Sequence, residues 1–161
     1  PKYNHAAREL VRALHALGFS VVSGGGLAGT MGAVTDESVR VGGRHLAVLP
    51  GFMQGLENPA VKAVLWTETM SVRKEQMRRG SCVAIALPGG IGTLDELMET
   101  LVLRKLGQWP GEVYLLNVDG FYNPLLALLD HYVQTRMMEA EDRALLHVAD
   151  TPEELAALLE V

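Results

Sequence analysis

The sequence predicts an α/β fold in three layers, a mostly parallel sheet with helices on both faces. Three observations predict it. Apolar stretches of β type alternate with stretches of 3.6-residue periodicity along the whole chain, as in strands joined by crossover helices. The run Cys82-Val83-Ala84-Ile85-Ala86-Leu87 is apolar without alternation, as expected of a strand covered on both faces. Two glycine-rich turns, at 23–26 and 88–92, each follow a strand and precede a helix, at the carboxyl ends where such sheets bind ligands.

Ala6, Leu10, Ala13, Leu14 and Leu17 form a helical stripe over 3–17, and Gly18 ends it. Phe19 to Val22 is a short strand, broken by Ser23-Gly24-Gly25-Gly26. A helix over 29–41 closes at Gly42-Gly43. His45 to Leu49 reads as a strand stopped by Pro50-Gly51, and 61–66 as another after a loop. Thr69 caps a helix over 70–80. Strand 82–87, helix 93–106, strand 112–117 and helix 124–137 follow, with Pro124 in the first turn of the last. Residues 145–148 are a short strand. Thr151-Pro152-Glu153-Glu154 opens a final helix, with Thr as cap, Pro first and Glu third.

A chain of 161 residues is read as one domain, 1–161, and 48% hydrophobic content supports a substantial core. Fourteen basic against 19 acidic residues give a net charge of −5, which argues against a nucleic-acid polymer as partner. The single cysteine, Cys82, permits no intrachain disulfide and fits a reducing cytoplasm. No apolar run exceeds six residues, far short of the about 18 that cross a membrane, and no signal-peptide pattern is present. The chain opens on Pro1 and directly on a helical pattern, so an upstream segment is expected.

The segment Pro88-Gly89-Gly90-Ile91-Gly92-Thr93-Leu94-Asp95-Glu96 carries the most information. Glycines let a ligand approach the backbone. A helix beginning at Thr93 would point free N–H groups and a positive dipole end at a phosphate. Glu96 would then act on whatever the phosphate anchors. Thr93-x-x-Glu96 also has the spacing of a capping box, so local sequence alone leaves Glu96 either a cap or a working carboxylate. Glu99 lies one turn on, lining the same pocket or solvated. Arg73-Lys74 and Arg78-Arg79 form a basic cluster on the preceding helix. Arg73 shares a face with Met70 and Met77, unusual for a merely solvated arginine, and a forked guanidinium there suits a carboxylate or phosphate.

Gly24, Gly26 and Gly29 match G-x-G-x-x-G, but the following strand ends Ala47-Val48-Leu49-Pro50 without the acid a dinucleotide site needs. Neither turn leads into Lys-Ser or Lys-Thr, so neither is a P-loop. The five histidines are scattered, with no metal-ligand spacing.

Two motifs, Arg73-Lys74-x-x-Met77 and Pro88-Gly89-Gly90-x-Gly92-Thr93-x-x-Glu96, resemble the Lonely-Guy (LOG) family, the cytokinin-activating phosphoribohydrolases once labelled lysine decarboxylase-like. Gly24-Gly25-Gly26-x-x-Gly29-x-Met31-Gly32 resembles the family's first glycine-rich turn, and Leu116-Asn117-Val118-Asp119-Gly120-Phe121-Tyr122 its late strand and loop. The resemblance covers roughly residues 8 to 160.

It implies a Rossmann-like nucleotide-binding domain that hydrolyses the N-glycosidic bond of a nucleoside 5′-monophosphate, AMP or an N6-modified AMP, to free base and ribose 5-phosphate. It implies Arg73 and Glu96 as the catalytic pair. Gly89, Gly90, Gly92 and Thr93 would hold the phosphate, with Gly25, Gly26, Met70, Lys74, Met77 and Glu99 lining the nucleotide site. It implies no cofactor, no metal and a homodimer or higher oligomer. It also implies a first strand and a serine-containing turn that this chain lacks. Ser71, Thr30 and Arg104-Lys105 depart from the family pattern and bear on base preference.

A rival of another class is a binding protein, since molybdenum-cofactor carriers resemble this fold and share a glycine-rich phosphate turn. Lysine decarboxylation itself needs a Schiff-base lysine with a cofactor site, and none of Lys2, Lys62, Lys74 and Lys105 has that context.

Overall fold

The computed structural model describes residues 1–25 and 29–160. Among the described residues, seven α-helices and six strands follow in the order α1 (Lys2–Ala16), β1 (Val21–Ser23), α2 (Gly29–Arg40), β2 (His45–Pro50), β3 (Val64–Thr67), α3 (Met70–Arg78), β4 (Val83–Ala86), α4 (Ile91–Lys105), β5 (Glu112–Leu116), α5 (Asn123–Gln134), α6 (Ala140–Arg143), β6 (Leu146–Ala149) and α7 (Pro152–Leu159). Short 3₁₀ turns lie at Gly51–Met53 and Val118–Gly120. Every described strand pair is parallel, as the alternating pattern predicts.

Two compact units divide the chain. One holds residues 1–80 and the last residues from Ala156, the other Ser81–Leu155. In the first, the sheet order is β1-β2-β3. Its central strand buries Ala47, Val48 and Leu49. α1 buries Ala6, Ala7, Leu10, Val11 and Leu14 and packs on α2; of the predicted stripe, Ala13 is half-buried and Leu17, just past the helix, is exposed. Between those helices lies Glu37, 3% exposed. It accepts from Arg12 Nη1 at 3.0 Å and from Arg40 Nε at 3.0 Å.

In the second unit the order is β4-β5-β6. Val113, Leu115 and Leu116 of β5 are fully buried. Leu97 and Leu101 of α4, Leu129 of α5, Tyr122 and Trp109 complete that core.

Three expectations are corrected, and one element was not expected. The helix expected from Thr93 begins two residues earlier, at Ile91, with Gly90 in extended conformation at the cap and no side-chain cap bond. Thr93 is therefore the third helical residue, and Thr93-x-x-Glu96 is not a capping box. The strand expected over 61–66 starts at Val64, because Asn58 holds a turn there. Its Oδ1 accepts from Ala60 N at 2.9 Å and its carbonyl from Val61 N at 3.0 Å. Cys82 precedes β4 and is exposed, outside the strand it was assigned to. The single helical turn α6 has no apolar periodicity to announce it. Both predicted side-chain caps are present: Thr69 accepts from Val72 N, and Thr151 Oγ1 from Glu154 N, each at 3.1 Å.

Candidate active site

In the first unit the site residues gather on the turn after β1. Gly25 has φ +68°, the left-handed region open to glycine, and a Cβ there would sit 2.6 Å from that of Ala47. Gly24 also admits no side chain, because Arg73 Nη2 occupies the space. Ser23 Oγ accepts from Gly25 N at 3.2 Å and lies 2.7 Å from His45 Nε2. The Gly25 carbonyl accepts from Asn58 N at 2.9 Å. Gly26 lies outside the described residues.

Arg73 reaches this turn from α3. It is only 5% exposed, and Met70 and Met77 beside it are half-buried, as the shared helical face predicts. Its Nε donates to Val48 O at 2.9 Å and its Nη2 to Gly24 O at 3.0 Å, while Nη1 lies 3.8 Å from Met70 Sδ. The guanidinium thus ties the first glycine-rich turn to β2. Among the described residues its hydrogen bonds run to carbonyls and a thioether, with no carboxylate among its partners. Carbonyl dipoles offset a buried cation only partly, so the surroundings favour an anion. Lys74, next on the helix, is half-buried.

The second unit holds the Pro88-Gly89-Gly90 turn, between β4 and α4. Because the helix starts at Ile91, the N–H groups of Ile91, Gly92 and Thr93 have no intrahelical carbonyl, and the helix dipole adds positive potential there. Leu94 N is the first to close on the helix, onto Gly90 O at 3.1 Å. Gly89, Gly90 and Gly92 are exposed. Thr93 folds back over the turn, and a Cβ on Gly89 would lie 2.5 Å from its Oγ1. Glu96 and Glu99 are half-buried on the following turns, and the Glu96 carbonyl accepts from Thr100 Oγ1 at 2.7 Å. Side chains of a helix lean toward its N-terminus, so Glu96 is directed back toward the turn.

Sequence reasoning missed Ile91, because a glycine cap leaves no side-chain signature. It also missed Ser23 with His45, and Tyr122, whose hydroxyl donates to Leu87 O at 2.6 Å. Of these, Ser23, Ile91 and Tyr122 lay within motifs the sequence singled out, and His45 did not. His45 Nδ1 is buried with no partner among the described residues, and burial lowers the imidazole pKa from its usual 6.5. Arg104 and Lys105, departures from the family pattern, bond Glu112 and Asp142, both at 3.2 Å.

A family model described as possible lysine decarboxylase matches residues 31–159. The probable cytokinin riboside 5′-monophosphate phosphoribohydrolase LOGL2 of Oryza sativa subsp. japonica is 42% identical over 164 residues, covering 98% of this chain and 66% of the relative. The cytokinin riboside 5′-monophosphate phosphoribohydrolase LOG4 of Arabidopsis thaliana is 39% identical, covering 98% of this chain and 74% of its own length. The chain spans just under two thirds of the two rice relatives matched first, 66% and 64%. Among solved structures, the molybdenum cofactor binding protein from Rippkaea orientalis superposes with a TM-score of 0.75 at 23% identity, over 99% of this chain and 87% of that one. The molybdenum cofactor carrier protein of Chlamydomonas reinhardtii gives a TM-score of 0.72 at 23% identity, over 98% and 86%. At that identity the likeness shows a shared fold. The extent of the family match and the identity to the plant enzymes place the chain in the Lonely-Guy family, whose model still bears the lysine decarboxylase description.

Proposed function

We propose that the protein hydrolyses the N-glycosidic bond of a nucleoside 5′-monophosphate, AMP or an N6-modified, cytokinin-type AMP, releasing the base and ribose 5-phosphate. The observation that carries this reading is the start of α4 at Ile91 directly after the glycine turn. It leaves N–H groups without intrahelical partners where a phosphate would bind, and Glu96 on the same helix, about 7.5 Å further along the axis. A ribose joins a 5′-phosphate to a C1′ over a comparable reach. The relatives' names and the paired motifs support the same reaction.

The chemistry follows from charge. Breaking the bond builds positive charge on the ribose, and Glu96 would stabilise it and orient the attacking water. The backbone at Gly89, Gly90, Ile91, Gly92 and Thr93 would grip the phosphate and supply orientation. Arg73 would set the first turn and offer buried positive charge to the nucleotide. Gly25, Met70, Lys74, Met77 and Glu99 would shape the site around it. Hydrolysis of this bond calls for no cofactor. Decarboxylation needs a Schiff-base lysine, whereas Lys105 pairs with Asp142 and Lys2 lies over the Tyr3 ring. We assign the protein to the cytoplasm and to a homodimer, the latter measurable by light scattering.

The test is base release. Incubation with AMP and with N6-isopentenyl-AMP is expected to free base, and Glu96→Gln is expected to lower the rate by roughly 10²–10⁴-fold with the fold intact by circular dichroism. Undiminished release from that variant would refute the assignment. Binding of ribose 5-phosphate without release of base would point to a carrier.

A further inference from the structure

We infer that Tyr122 is a positioning residue for the second glycine-rich turn: by holding the Leu87 carbonyl it fixes where that turn and the head of α4 meet a phosphate. The inference rests on the reading of this turn as a phosphate grip. β4 ends its ladder at Ala86, paired with Leu115, so the Leu87 carbonyl lies one residue beyond the sheet. Tyr122 Oη donates to it at 2.6 Å. The next residue is Pro88, whose ring fixes φ near −65° and passes the orientation of the Leu87–Pro88 peptide on to Gly89. At the far side Thr93 closes against Gly89. Little of the turn is left free between these two anchors.

The tyrosine is itself held. Its N–H donates to Asn117 Oδ1 at 2.7 Å, and Asn117 Nδ2 donates to Asn123 Oδ1 at 2.9 Å. Asn117 N donates to Ala149 O at 2.7 Å, which prolongs the β5–β6 pairing. Asp119 takes φ +52° between them and lets the chain reverse, so that Tyr122 returns beneath the turn. The Phe121 ring meets the Tyr122 ring edge-on, 4.9 Å between centroids. A continuous set of bonds therefore runs from β6 through Asn117 and Tyr122 to Leu87. Burial pushes the phenol up to about 12, so the hydroxyl keeps the proton it donates throughout the working range.

The experiment compares Tyr122→Phe with the unsubstituted protein and with Leu129→Ala, a buried leucine of the same core that serves as stability control. Amide hydrogen exchange of the segment 87–94 is read first. Dissociation constants for ribose 5-phosphate by calorimetry, and kcat and KM for AMP, are read second. Tyr122→Phe is expected to speed exchange in that segment and to raise Kd and KM about tenfold, the scale of one lost hydrogen bond, with kcat changed far less. Leu129→Ala is expected to lower Tm at least as much while leaving Kd unchanged. Equal Kd and equal exchange in Tyr122→Phe overturn the inference, as does an equal loss of binding in Leu129→Ala. If the unsubstituted protein neither binds ribose 5-phosphate nor cleaves AMP, the phosphoribohydrolase reading fails, and the exchange comparison still decides whether Tyr122 holds the turn.

Discussion

At the scale of the residue, Arg73 shows how a functional candidate can also carry structure. Its fork reaches one carbonyl inside β2 and one in the turn after β1, which one lysine ammonium on a different stem cannot match. Arg73→Lys is expected to cost about 1–3 kcal/mol in urea unfolding through the carbonyl left unsatisfied, and to reduce AMP turnover as well. The sequence showed that Arg73 stands among apolar side chains; it could not show which main-chain atoms meet it, because those lie 25 and 49 residues away. His45 was invisible for a related reason, since only folding brings Ser23 beside it. Its lowered pKa means that the unfolded chain takes up a proton before the folded one does. The stability from neutral His45 is complete above 6.5 and falls as pH drops below that value. Urea midpoints measured between pH 7.5 and 5.5 should decline, and decline less in His45→Gln.

At the scale of the element, α4 and the α1–α2 pair carry the main lessons. The glycines, Thr93 and Glu96 were legible as a glycine-rich turn leading into a helix that carries a carboxylate. The start of the helix was not, because Gly90 caps it through backbone conformation alone. Two residues of displacement changed the meaning of Glu96, which leaves the cap and enters the second turn. Thr69 and Thr151 were legible because their caps use side chains. Thr151→Ala is expected to cost about 1 kcal/mol, measurable by thermal unfolding. Between α1 and α2, hydrogen bonds from Arg40 and Arg12 hold the Glu37 carboxyl down to about 2 against the opposing effect of burial. That stability is present above the ordinary value of 4.5 and is lost as pH falls toward 2. Glu37→Gln should flatten the acid limb of the unfolding curve over that window, and an unchanged limb would show that the two arginines contribute nothing there.

At the scale of the molecule, alternation of strands and helices was enough to predict mostly parallel pairing, and every described pair is parallel. The division into two compact units was not legible, because no linker composition marks residue 80. Each unit has one central strand with its core packed on it, β2 in one and β5 in the other. The slowest-exchanging amides are therefore expected in β2 and β5, ahead of the edge strands, in hydrogen exchange followed by NMR. Parallel strands have a further practical consequence. β4 carries the Pro88 turn at one end and the exposed Cys82 at the other, roughly 15–20 Å away along the strand. Cys82 is the chain's single thiol. A maleimide dye attached there would tag the protein at one defined point, with the end of the strand proposed to meet the phosphate left clear, so fluorescence could follow binding in the unmutated protein.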